Sequence, residues 1–115
     1  MTSTTELHTL ARQVYDLINA QDLDALDDVF HPEIVRHAAG QVGIDAAKQS
    51  AAAAFSARPG LRFEVEDIIA EGTEAALRVT VHSDINDPGK PPPTILEIFR
   101  IEDGRVVEIW GAGTA

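Results

Sequence analysis

The hydrophobic period of this chain changes once, at about Leu61, and that change restricts the fold more than any motif does. Before it, Leu7, Leu10, Ala11, Val14, Leu17 and Ile18 recur at the three- and four-residue spacing of an amphipathic helix. Thr4 or Thr5 is placed to cap its start, with Glu6 in the first turn. A second helical stretch covers Asp22 to Phe30 and turns Leu23, Leu26, Val29 and Phe30 toward a core. Ile34 to His37 then reads as a short strand, and a third helix runs from Gly43 to about Ala57, stopped by Arg58-Pro59-Gly60. Its run Ala51 to Ala54 predicts close approach of that helix to a sheet.

After Leu61 the spacing becomes that of strands: Leu61 to Ile69, Ala75 to His82, Thr94 to Ile101 and Arg105 to about Ala112. Glycine turns at Gly72 and Asp103-Gly104 predict antiparallel hairpins. The proline-rich loop from Asp84 to Pro93 belongs over an edge or a pocket mouth. Helices followed by consecutive strands indicate an α+β domain, with the helices on one sheet face around an apolar pocket. At 115 residues the chain is expected to form one domain, 1–115.

Composition removes several functions. There is no cysteine, which excludes disulfides, thiolate metal sites and cysteine nucleophiles. A formal net charge of −10 disfavours nucleic acid and anionic membrane surfaces as partners. No run of residues is apolar and long enough to span a bilayer, and the N-terminus lacks a basic start and an apolar stretch. The expectation is a cytoplasmic protein. No histidine pair has the spacing that puts two metal ligands on one helix face, and neither a phosphate-binding glycine loop nor a nucleophile elbow occurs. No metal and no cofactor are expected.

Glu97 is the most informative single residue. It shares a strand face with Ile95, Phe99 and Ile101, so its carboxyl is expected in apolar surroundings that oppose ionisation, which is how a glutamate becomes an acid or base near neutral pH. Its alternatives are a structural pairing, for example with Arg78, or exposure to solvent. Leu96, Ile98 and Arg100 occupy the opposite face, and apolar residues on both faces predict a homodimer through the outer one. Arg78, Thr80 and His82 form a polar row that fits either a ligand site or a half-exposed strand. His37 and His82 end two strands and suit proton transfer at neutral pH, although lone histidines are more often structural. Trp110 is either core or a flat wall for a ring-shaped ligand.

Three segments together carry a family resemblance: Val14 to Leu26 (VYDLINAQDLDAL), Phe30 to His37 (FHPEIVRH) and Leu96 to Trp110 (LEIFRIEDGRVVEIW). With them the chain resembles the SnoaL-like branch of the nuclear-transport-factor-two-like superfamily, which includes polyketide cyclases. The resemblance implies a cone-shaped roll, with three N-terminal helices packed on a strongly curved, mostly antiparallel sheet, an apolar cavity between them and a dimer through the outer sheet face. In the cyclases an acidic residue on the strand before the Asp-Gly hairpin moves a proton, and Glu97 stands at the similar position, with glutamate for the usual aspartate. They also use a histidine from the preceding strand or loop, near which His82 lies.

Sibling activities are weighed by substitution. Enzymes resembling limonene-epoxide hydrolase need two aspartates with an arginine; beside Arg78 the matching positions hold Thr80 and Ala112, which disfavours that hydrolysis. Enzymes resembling ketosteroid isomerase place an aspartate at the end of the first strand, where this chain has His37, and a helix-borne tyrosine, from which Tyr15 stands one position out of register.

The resemblance and the residues lead to an expected cofactor-independent enzyme for proton transfer on a small apolar carbonyl compound, such as an aldol-type cyclisation or an isomerisation. Glu97 would be the acid/base, His37 or His82 a second proton carrier and Arg78 an oxyanion stabiliser. Trp110, Phe99, Tyr15, Thr80 and Val14 would line the pocket. The alternative is a non-catalytic ligand-binding or dimerisation module of the same fold.

Overall fold

The first helix is set by its cap. In the computed structural model, which describes residues 2–114, Ser3 is the N-cap of α1 (Thr4–Asn19). The Ser3 side chain accepts from the Glu6 amide while the Glu6 carboxylate accepts from the Ser3 amide, a reciprocal capping box. The cap therefore falls one residue earlier than Thr4. Leu7, Ala11, Val14 and Tyr15 form the buried stripe of α1.

The expected second helix is only a single 3-10 turn at Asp24–Asp28, so two α-helices are present among the described residues rather than three. Asp24, Asp27 and Asp28 lie within those five residues and no side chain caps the start, which leaves Leu26, Val29 and Phe30 to anchor the segment by burial. The strand β1 (Phe30–Arg36) follows, then a second 3-10 turn at His37–Ala39 and the two-residue β2 (Gln41–Val42). The helix α2 (Ile44–Ala57) begins after Gly43, whose φ of 103° suits glycine.

The second half follows its sequence pattern closely, as β3 (Arg62–Glu71), β4 (Glu74–His82), β5 (Thr94–Glu102) and β6 (Arg105–Gly113). The strands form one open sheet in the order β2-β1-β6-β5-β4-β3. All neighbours are antiparallel except β1 and β6, which run parallel. That pairing places the end of β1 beside Glu108 and Ile109. Bulges interrupt the ladders at Val65/Asp67 and at Arg100/Ile101, where an extra residue bends a strand.

The core lies between α1 and the inner sheet face, built from Leu7, Val14, Ile34, Val79, Phe99 and Val106. One edge contact orients α1. Phe63 lies on the edge strand β3, and the Asn19 amide both donates to its carbonyl at 2.7 Å and accepts from its N–H at 2.8 Å. This side chain completes the backbone pairing that an edge strand lacks and pins the C-terminal end of α1 over the sheet. The loop 83–93 is held by its own bonds, Ser83 to Asn86 and Asn86 to the Val81 carbonyl. It does not line the inner cavity. No helix among the described residues is long and apolar enough to cross a membrane.

Candidate active site

An inner cavity of about 180 Å³ opens between α1, α2 and the sheet. Its α2 wall consists of small residues, Ala47, Ser50, Ala51 and Ala54. The alanines thus do the reverse of what their run predicts: they leave a gap between helix and sheet instead of closing it. Val14, Phe99 and Ile109 supply apolar walls, and polar groups enter from Tyr15, Glu97 and Arg36.

Glu97 points inward, as its strand position requires, with Phe99 and Ile101 buried on the same face. Its register partner on β6 is Gly111, where an added Cβ would lie 3.3 Å from the Glu97 Cγ. The missing side chain at Gly111 therefore provides the room that the carboxyl occupies. The Tyr15 hydroxyl donates to Glu97 Oε1. The Tyr15 ring is fixed between Phe63, at 5.6 Å between centroids, and Phe99, at 6.4 Å and nearly parallel.

Burial raises the Glu97 pKa above the ordinary carboxyl value, while the Tyr15 hydrogen bond and the Arg36 charge pull it down. Burial, and next the negative charge of Glu97, push the Tyr15 hydroxyl well above its ordinary value. The pair can thus hold one proton near the carboxyl and offer a second from the phenol, in a site where water competes little.

Arg36 shares the inward face of β1 with Ile34, two residues before it. Its Nη1 donates to Gln41 Oε1 at 2.7 Å, and Gln41 Nε2 donates to Ser50 Oγ at 2.8 Å. This network ties the ends of β1 and β2 to α2. Arg36 was not among the residues that sequence singled out. The available signal was its spacing from Ile34, since residues two apart on a strand share a face.

The remaining candidates lie elsewhere. Arg78, Thr80 and His82 are on the outer sheet face, where each meets a carboxylate of β3. Arg78 Nε bonds Asp67 at 2.6 Å, Thr80 Oγ1 bonds Glu66 at 3.1 Å and His82 Nε2 bonds Glu64 at 2.8 Å. The His82 contact holds the Glu64 carboxyl below its ordinary range. The row is the polar side of a half-exposed strand, and Val79 between Arg78 and Thr80 faces the core. Arg78 and Glu97 are on opposite faces, so the alternative of a structural pairing between them does not hold.

His37 is exposed at the start of its 3-10 turn. Its Nε2 meets Glu108 Oε2 at 2.8 Å, and its ring stacks on Trp110 at 4.9 Å. Glu108 also accepts from Arg100 Nε at 2.6 Å, and the two partners hold its carboxyl low. Trp110 is neither core nor a wall of the inner cavity. It lies on the outer face beside Ile98, its register partner, and near Leu96. Among the described residues no group of three or more histidines and carboxylates is placed to hold a metal ion.

The family model described as the SnoaL-like domain matches residues 11–109. No protein of curated function matches the sequence. The fold is similar to that of a SnoaL-like polyketide cyclase from Agrobacterium tumefaciens, with a TM-score of 0.79, 17% identity, and 94% of this chain and 91% of that one covered. It is also similar to IdmH, a candidate polyketide cyclase from Streptomyces antibioticus, with a TM-score of 0.79, 24% identity and coverage of 92% and 90%. A candidate ketosteroid isomerase from Kribbella flavida aligns with a TM-score of 0.80 at 17% identity, over 100% of this chain and 82% of that one. At these identities the likenesses establish the fold.

Proposed function

Since the chain belongs to the SnoaL-like family, we propose that it is a cofactor-independent enzyme moving a proton on a small, largely apolar carbonyl compound bound in the inner cavity. The observation that carries this reading is the Tyr15–Glu97 pair at the wall of an otherwise apolar cavity. The Glu97 carboxylate takes the proton from the carbon next to the carbonyl, because an apolar site makes it a stronger base than in water. The Tyr15 hydroxyl then donates to the enolate oxygen that forms. Returning the proton to a different carbon gives isomerisation, and attack of the enolate on a second carbonyl gives an aldol cyclisation.

The proton-carrier and oxyanion roles first expected of His37, His82 and Arg78 pass in this reading to Tyr15, which lines the cavity as those residues do not. The likeness to named cyclases and to a candidate isomerase supports the reaction class.

The test is exchange of α-protons of cyclohexanone with deuterium oxide, followed by proton NMR. The protein should accelerate the exchange, and Glu97→Gln should reduce the acceleration by about 100-fold or more, as loss of a general base does. Equal acceleration by both proteins would end the proposal.

A separate reading concerns the outer face, where Ile69, Leu96, Ile98 and Trp110 are exposed together, Leu96 at 58%. We assign that face to a second copy of the chain. It combines an apolar centre with Asp67 and Arg78 on one strand pair, the mixture that a two-fold interface can match to itself. This face is the observation that favours a dimerisation module, whether or not the cavity is catalytic.

A further inference from the structure

Among the described residues Arg36 is the one basic side chain lining the inner cavity, and it has no direct ion-pair partner, although its charge reaches the Glu97 carboxyl across the cavity. Among the described residues no carboxylate oxygen lies within 4.0 Å of its guanidinium, whereas Arg78 and Arg100 both have acidic partners. Arg12, Arg58, Arg62, Lys90 and Arg105 also lack such a partner among the described residues, but they are exposed to solvent, whereas Arg36 is half-buried at the cavity wall. A half-buried guanidinium costs free energy unless a partner satisfies it. The neighbours position this one instead of neutralising it. Gln41 is opposite Arg36 in the β1–β2 ladder and takes its Nη1 donor, and Gln41 is itself held by Ser50 on α2. The planar fork is thereby oriented while its other donors have no partner among the described residues, which is the arrangement that receives a carboxylate by two parallel hydrogen bonds.

The cavity limits the rest of the ligand. About 180 Å³ is slightly more than the roughly 150 Å³ of an apolar protein cavity that binds benzene, and less than the roughly 300 Å³ at which pockets for drug-sized ligands begin. A single ring takes up most of it, and a fused multi-ring compound would extend beyond it.

We propose that Arg36 is the anion receptor of the inner cavity, and that the cavity takes a carboxylate-bearing compound of single-ring size. This specifies the ligand of the site assigned above and shares with that reading only the premise that the cavity is occupied. The carboxylate anchors at Arg36, and the ring or short chain lies along Val14, Phe99 and Ile109. The reacting part is thereby presented to Tyr15 and Glu97.

Benzoate and benzyl alcohol, which share a ring and differ in charge, provide the test by amide NMR titration of the full chain. Benzoate should bind at least about tenfold more tightly than benzyl alcohol, the gain expected of a charge-assisted pair, and should shift the signals of Arg36 and Tyr15. Arg36→Gln should bring benzoate down to the level of benzyl alcohol while benzyl alcohol binding stays unchanged. Equal affinities in the unmodified protein would overturn the proposal without recourse to any variant. So would benzoate binding that survives Arg36→Gln, or that moves Arg78 and Trp110 on the outer face instead. Glu97→Gln separates this proposal from the catalytic one: proton exchange should be lost while benzoate still binds, and loss of benzoate binding would overturn the proposal, since removing a carboxylate does not weaken an anion held by Arg36.

Discussion

Replacing Tyr15 by Phe removes one hydroxyl and nothing else from a fully packed ring, so it isolates the bond to Glu97. Tyr15 is 6% exposed, and its hydroxyl has Glu97 as its partner. Below pH 4.5, the ordinary value for glutamate, the carboxyl is protonated in the folded and the unfolded chain. The loss there is that of one neutral hydrogen bond, about 1 kcal/mol.

At higher pH the sign follows from the direction of the Glu97 shift. Its folded pKa is raised, so the protonated form is favoured in the folded protein, and stability falls as pH rises from 4.5 through the folded value. Tyr15→Phe removes an interaction that favours the ionised form, and the fall becomes deeper. Above the folded pKa the substitution should cost about 1.5–3 kcal/mol, the range for a hydrogen bond to a charged group. Urea unfolding of wild type, Tyr15→Phe, Glu97→Gln and the double variant from pH 4 to pH 8 measures this. In the Glu97→Gln background the cost of Tyr15→Phe should no longer change with pH. A cost that rises equally with Gln at position 97 would refute the reasoning, since the pH dependence would then have another source.

Ala51→Leu should fill the cavity, changing stability by no more than about 1 kcal/mol because the added side chain enters space already empty, and should abolish ligand binding in the same NMR titration. Asn19→Ala should cost about 2 kcal/mol by urea unfolding, from two side chain to backbone hydrogen bonds lost at the edge strand. If the outer face joins two copies, Ile98→Glu should convert a dimer to a folded monomer in sedimentation velocity; an unchanged mass would remove the assignment.

The strands were legible because period-two alternation and glycine turns are local. All four strands from β3 to β6 begin and end within about two residues of the positions their pattern predicts. The face of Glu97 was legible for the same reason. Its partner was not, because whether Tyr15 reaches Glu97 depends on the rotation and tilt of α1 over the sheet, and these are set by distant contacts such as Asn19 with Phe63.

Arg36 and His37 show how much rests on one residue of register. Neighbouring strand positions face opposite ways, and here β1 turns Arg36 inward and ends before His37. The polar row of Arg78, Thr80 and His82 alternates as a ligand-lining strand would, and only the position of the helices shows that it faces outward. The parallel pairing of β1 with β6 joins segments some seventy residues apart. Nothing local to either strand announces it.

The central claim is that burial makes Glu97 a proton carrier, and the direct measurement is its side-chain carboxyl titration by carbon-13 NMR. The account predicts a midpoint above the ordinary value of 4.5 that rises further in Tyr15→Phe. A midpoint at or below 4.5 would contradict it, because Glu97 would then be an ordinary carboxylate held in place by Tyr15 and Arg36.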